Sequence, residues 1–150
     1  MKQKKDARRC IFCIGADPAT DEENLVVYRA GFTFAILNRY PYTSGHLMIA
    51  PYEHVSRLSQ ATEEATEEMM RVARRAEPIL ERVYRADGLN IGINLGEAAG
   101  AGIEQHIHLH VLPRWNGDAN FMTSVAMTRV LPEALDETYA KLKRAFAETG

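Results

Sequence analysis

Hydrophobic and polar positions change their period several times along this chain. Two β-rich runs, Leu25–Tyr28 and Phe32–Leu37, flank Arg29-Ala30-Gly31, a spacing that predicts a hairpin. A loop of turn formers, Asn38–Gly45, leads into a third apolar run, His46–Ala50, which Pro51 stops because proline cannot donate to a ladder. At Thr62 the period lengthens: Met69, Val72, Ala73, Ala76, Leu80 and Val83 recur at three- and four-residue steps. Glu63, Glu64, Glu67 and Glu68 fill the opening turns, where the helix dipole favours anions. The pattern predicts a long amphipathic helix ending near Asp87-Gly88, bent or locally broken at Pro78, which has no N–H for the Arg74 carbonyl. Asn90–Leu95 and His106–Leu112 then read as two more strands joined by the glycine-rich stretch Gly96 to Gly102, and a closing helix is expected from Pro132 to about Glu148. Three strands precede the first helix, so the order is not the strict alternation of a parallel sheet. The expected class is α+β, an antiparallel sheet with helices on one side.

Composition narrows the function classes. At 150 residues, 46% hydrophobic and 25% charged, the chain suits one globular domain with a full core. Its longest apolar runs fall far short of the roughly 20 residues of a membrane-spanning helix, and no secretory signal is read at the start. Lys plus Arg is 18 against Asp plus Glu at 20, so no whole-chain positive field draws nucleic acid or anionic lipid, and neither is expected as a partner. Any polyanion must be held by a local site. Residues 1–9, with Lys2, Lys4, Lys5, Arg8 and Arg9, read as a basic tail, either solvated or an anion-binding arm, ahead of a single domain over residues 10–150. Cys10 and Cys13 are too few for a disulfide scaffold and suit a reducing cytoplasm; they remain open as a redox pair, half a metal site or free thiols.

The candidate chemistry lies in His106-Ile107-His108-Leu109-His110, which holds three of the five histidines at every second position. In a strand this places all three imidazoles on one face. Such a row suits a metal cluster, or an imidazole nucleophile toward phosphorus with its neighbours managing protons. The glycine-rich stretch ahead of it offers backbone N–H groups that can approach phosphate oxygens, which favours the second reading.

These residues resemble the histidine triad (HIT) superfamily of nucleotide hydrolases and transferases, whose mark is His-φ-His-φ-His-φ-φ. The likeness also takes in Leu37-Asn38-Arg39-Tyr40-Pro41, Gly45–Pro51, Asn94-Leu95-Gly96 and Pro113–Asp118. The tail Pro113 to Met122 is similar to the bacterial branch that includes dinucleoside-polyphosphate phosphorylases and fragile-histidine-type hydrolases. The resemblance implies a five-stranded antiparallel sheet with a long central and a C-terminal helix, and a homodimer joined into a ten-stranded sheet. It implies cleavage of a dinucleoside polyphosphate at the α-phosphorus through a nucleotidyl-His108 intermediate. His110 would meet the phosphate or leaving-group oxygens, and His106 would lie on the far side of the site or in a metal shell.

By the same resemblance Asn38 bonds the ribose, His46 packs near the triad, and Asn94 faces the glycine loop. Phe32, Phe34, Ile36 and Leu37 are either a wall for the base or plain core. Where family members carry an amide and a hydroxyl before the triad, this chain has Ala101-Gly102-Ile103, so backbone amides from Gly100 through Gly102 to Ile103 take over phosphate binding. Cys10, Cys13, His54 and His106 resemble a structural Zn²⁺ site of bacterial relatives, and no organic cofactor is implied. Two alternatives stand beside this reading: a nucleoside phosphoramidate hydrolase, and a nucleotide-binding interaction protein with residual turnover.

Overall fold

The computed structural model describes residues 10–101, 105–118 and 133–149. Gly102 and Ile103, the tail at residues 1–9, and Pro132, where the closing helix was expected to start, lie outside the described residues; the helix opens at Leu135. Strands β1 (Val26–Arg29), β2 (Thr33–Leu37), β3 (Leu47–Pro51), β4 (Gly88–Ile93) and β5 (Leu109–Arg114) form one sheet in the order β1-β2-β3-β5-β4. Every neighbouring pair is antiparallel. Helix α1 (Asp21–Asn24) is a short turn before β1, α2 (Glu63–Tyr84) is the long helix, and α3 (Leu135–Glu148) closes the domain. No described helix is long and apolar enough to cross a membrane.

Register sorts the side chains onto two faces. Glu68 of α2 accepts from the Thr33 hydroxyl, so the Thr33, Ala35, Leu37 side of β2 is the helix side. The same carboxylate accepts from Gly31 and Phe32 N–H and so holds the hairpin turn against α2. Through the pairings Ile36↔Met48 and Met48↔His110, the opposite side carries Ile36, Met48 and His110. β2 and β3 are buried at every position, so both faces are covered, and their sequence is a continuous apolar run with no alternation.

α2 starts at an N-cap, the Thr62 hydroxyl accepting from Ala65 N–H, and buries Met69, Val72, Ala73, Ala76, Ile79 and Leu80. It runs 22 residues through Pro78 without a break. Pro78 and Arg74 are both exposed, so the carbonyl deprived of its donor lies on the side that water reaches. The helix ends at Tyr84, with Arg85 left-handed at φ 50°, and Gly88 already opens β4. The expected boundary was therefore late by a few residues, because a non-glycine residue supplies the left-handed cap. β5 likewise begins at Leu109 and not at His106: Ile107 N–H donates to Val55 O at 2.8 Å, outside the ladder with β3, which ends at Pro51.

Gly45, one residue before His46, has φ +81°, and a Cβ there would stand 2.8 Å from the Tyr84 ring. That ring cannot yield easily, since its hydroxyl donates to Glu133 and its backbone carbonyl accepts from Trp115 Nε1. Gly45→Ala is expected to lower unfolding free energy by about 3 kcal/mol, combining left-handed strain and overpacking. Urea unfolding checks this, and a midpoint equal to that of the wild type would show that the loop relaxes freely.

Candidate active site and metal centre

The N-terminal segment turns at Cys10–Cys13, where Cys13 N–H donates to Cys10 O at 3.2 Å. His54 follows β3, and the bond from Ile107 to Val55 draws the 51–55 segment against the start of the triad. As a result His54 and His106 meet edge to face, with ring centroids 5.1 Å apart. Cys10 Sγ is 3.6 Å and Cys13 Sγ 3.8 Å from His106 Nδ1; Cys13 Sγ and His106 Nδ1 are each 3.3 Å from His54 Nδ1. Bonds of about 2.0–2.3 Å from one tetrahedral ion would set ligand atoms roughly 3.3–3.8 Å apart, so the donor set fits Zn²⁺. All four ligand atoms lie within 4.8 Å of one another.

His106 is prepared for ligation. Its Nε2–H donates to Pro51 O at 2.7 Å, which leaves a lone pair on Nδ1. Burial lowers His106 to about 4 against the opposing bond to Pro51, and the charges of His54 and His108 add to the depression. The ring is therefore neutral, as a ligand must be.

His108 uses its ring differently. Nδ1–H donates to the backbone carbonyl of His106 at 2.9 Å, so Nε2 carries the lone pair. The ring is half-buried, stacked on Phe12 at 4.6 Å and 25°, and touched edge-on by His110 at 4.7 Å and 73°. An imidazole that keeps its lone pair on Nε2 has the chemistry of a nucleophile.

His110 takes the opposite tautomer, and the cause begins at Asn38. Asn38 Oδ1 accepts from Tyr40 N–H at 2.9 Å, which orients the amide so that Nδ2 faces His46 Nδ1 at 3.4 Å. His46 then holds its proton on Nε2 and donates to His110 Nδ1 at 2.9 Å, leaving His110 its proton on Nε2. Register makes this possible: Leu37↔Leu47 puts Asn38 opposite His46, and Met48↔His110 puts His46 diagonally beside His110. Burial, then the charges of His110 and His108, lower His46 to about 4; burial and then His108 lower His110. Adjacent rings thus offer a lone pair at His108 and a proton at His110.

The other residues singled out from sequence are placed less closely. Asn94 is exposed and stands one step past the Ile93↔Leu109 pairing, level with His108 in register. Gly100 is exposed with φ +86°. Asn38 has both amide atoms engaged within the chain and keeps one lone pair and one N–H for a sugar. Among the candidate wall residues, Phe34 and Ile36 share the histidine face, Leu37 is on the helix side, and Phe32 is exposed at the turn.

Three contributions escaped the sequence reading: the Pro51 carbonyl, the Phe12 ring, and Gly92. Gly92 pairs with His110, and among the described residues a Cβ there would meet nothing within 4 Å. For Phe12 the only sequence signal was its place between two cysteines. The Pro51 carbonyl left none, since any residue supplies one.

His46 makes stability depend on pH in a defined direction. Unfolded, it titrates near 6.5; folded, near 4, so between these values the unfolded chain binds the extra proton. Its contribution is complete above about pH 6.5 and is lost as pH falls toward 4. Unfolding free energy of His46→Gln should therefore decline less steeply from pH 7 to 5 than that of the wild type. Identical slopes would mean that His46 is not held neutral by the fold.

The HIT domain family matches residues 19–117. A Mycobacterium tuberculosis protein named AP-4-A phosphorylase is 43% identical over 128 residues, 85% of this chain; the chain spans 66% of that relative's length. A Schizosaccharomyces pombe protein named bis(5'-nucleosyl)-tetraphosphatase (asymmetrical) is 32% identical over 93 residues, 62% of this chain and 50% of that protein. The solved structure of a Zn-bound histidine triad family protein from Mycobacterium smegmatis superposes with a TM-score of 0.73 at 30% identity, covering 95% of this chain and 96% of that one. With more than half its length matched and the same sheet and helices, this chain belongs to the HIT domain family.

Proposed function

We propose that the chain cleaves dinucleoside polyphosphates at the α-phosphorus, by hydrolysis or phosphorolysis. The observation that carries this reading is the pair of opposite tautomers on adjacent imidazoles, a lone pair at His108 Nε2 and a proton at His110 Nε2. His108 Nε2 attacks the α-phosphorus and forms an N–P bond. The bridging P–O bond breaks, and His110 gives its Nε2 proton to the leaving oxygen. Water or orthophosphate then displaces the nucleotidyl group and returns the proton. Asn38 takes a ribose hydroxyl, and Asn94 with backbone amides of Gly100, Gly102 and Ile103 holds phosphate oxygens. The names of the M. tuberculosis and S. pombe relatives support this substrate class.

Cys10, Cys13, His54 and His106 would hold Zn²⁺, and a closed four-ligand shell supplies structure with no open position for substrate. β4 ends the sheet and exposes Ile91, an edge through which two copies would join into a ten-stranded sheet.

Incubation of the protein with diadenosine tetraphosphate tests the reaction. AMP with ATP marks hydrolysis, ADP with ATP in the presence of orthophosphate marks phosphorolysis, and intact substrate would refute the proposal. His108→Ala should lower turnover by on the order of 10³-fold or more while nucleotide still binds. Retention of more than about a tenth of wild-type turnover would mean that another group attacks.

Elemental analysis should find one zinc per chain. Chelation or Cys13→Ser should lower the melting temperature, because an ion bound only by the folded state stabilises it. A metal-free protein whose melting is indifferent to chelator would leave Cys10 and Cys13 as ordinary thiols.

A further inference from the structure

Tyr42 lies beside the histidines without being one of the groups that attack, donate or ligate. It is 64% exposed, and its ring stacks on His46 at 6.0 Å and 29°, so the loop between β2 and β3 folds over the histidine face. Next to it is a hollow of about 300 Å³ lined by Tyr42, Thr43, Leu112, Arg114 and Asp118. Side chains alternate along β5, so Leu112 and Arg114 share the face of His110. The pairing Leu47↔Val111 sets Leu112 across from His46. The hollow is therefore the next enclosure along the histidine row, beginning one two-residue step, roughly 7 Å, beyond His110.

The order of residues on this face gives the hollow a direction. In an in-line displacement the attacking atom and the leaving oxygen stand on opposite sides of phosphorus. In the proposed reaction His108 attacks, and His110, one step nearer to the hollow, protonates the leaving oxygen. The expelled group thus departs on the side of Leu112 and Arg114. From a dinucleoside polyphosphate that group ends in a second nucleoside, while the first is held at Asn38.

The lining suits a nucleobase better than a phosphate. Arg114 Nε and Nη2 donate to Asp118 at 2.6 and 2.9 Å, and Nη1 donates to Asn90 Oδ1 at 2.7 Å. The guanidinium charge is matched by a carboxylate, so this wall is planar and carries no net charge to draw an anion. Two of its five N–H groups remain for ring nitrogens or carbonyls. Thr43 Oγ1 donates to Pro113 O at 3.4 Å and still has lone pairs for an exocyclic amine. Tyr42 supplies an aromatic face and Leu112 an apolar floor, on which any of the bases can stack.

We propose that this hollow is the subsite of the second nucleoside, whose base stacks on Tyr42, and that it sets a preference for dinucleoside over mononucleoside polyphosphates. The proposal takes its direction from the cleavage reading above and rests on it.

Two substrates test it: diadenosine tetraphosphate, and adenosine 5′-tetraphosphate, which has the same first nucleoside and the same number of phosphates but no second nucleoside. The ratio of their kcat/KM values is the readout. Tyr42→Ala should lower the preference for the dinucleotide about tenfold, the order of one base-aromatic stack, and Tyr42→Phe should keep it. Should Tyr42→Ala fail to fold, Tyr42→Leu still covers His46 without an aromatic face and carries the same expectation. An unchanged ratio would overturn the proposal. That result would follow if Tyr42 held the first nucleoside or acted only through His46, since both substrates would then suffer alike. Calorimetric titration of both ligands into His108→Ala protein, with and without Tyr42→Ala, reads the same ratio as dissociation constants and needs no turnover. If the wild type leaves both substrates intact but the binding ratio falls with Tyr42→Ala, the cleavage reading fails and the subsite stands. If cleavage occurs and neither ratio moves, only the subsite fails.

Discussion

Every buried imidazole nitrogen in this protein needs one committed partner, and that constraint organises the rest of the site. A neutral histidine carries one donor and one acceptor, and burying either unpaired is costly. All five histidines of the chain gather in one array, and their partners differ: the Pro51 carbonyl for His106, the His106 carbonyl for His108, and Asn38 with His110 for His46. One residue type therefore appears in two tautomers and serves three roles. His106 has a lone pair toward the thiols, His108 a lone pair on Nε2, and His110 a proton on Nε2. Burial lowers the pKa of His46, His106 and His110 and so favours their neutral forms.

His106 joins the two halves of this arrangement. Its ring faces Cys10, Cys13 and His54, while its carbonyl holds His108. Phe12 makes the second link, from the cysteine turn to the His108 ring. A centre whose four ligands fit a closed metal shell is thus joined to the proposed nucleophile by one backbone atom and one aromatic face. Stability and reactivity are separable in principle, because no ligand atom of the first is a reacting atom of the second.

The sheet makes room for this array by being covered on both sides. Helices α2 and α3 pack on one face, which Glu68 marks through Thr33, and the histidines with Phe12 occupy part of the other. Gly45 acts where a side chain would obstruct, letting the chain pass the Tyr84 ring into His46, while Gly92 brings no side chain across from His110.

Period and residue type along the chain were enough to determine the class of fold. The hairpin, the third strand, the amphipathic helix and the two later strands all follow from local hydrophobic spacing, because spacing decides which face a residue presents. The row of histidines and the Cys10–Cys13 spacing likewise marked the candidate chemistry, since both are unusual combinations of reactive side chains. Boundaries were less legible, as at Arg85, where a non-glycine residue takes the left-handed cap, and at Ile107, which leaves the ladder to bond Val55. Tautomers were not legible at all. Which nitrogen of His108 or His110 carries the proton depends on a backbone carbonyl and on an asparagine brought alongside by strand register, and a linear sequence does not state distances across strands. The same holds for Phe12: its aromatic character was plain, but only the tertiary structure placed it on His108, because the two are far apart in sequence.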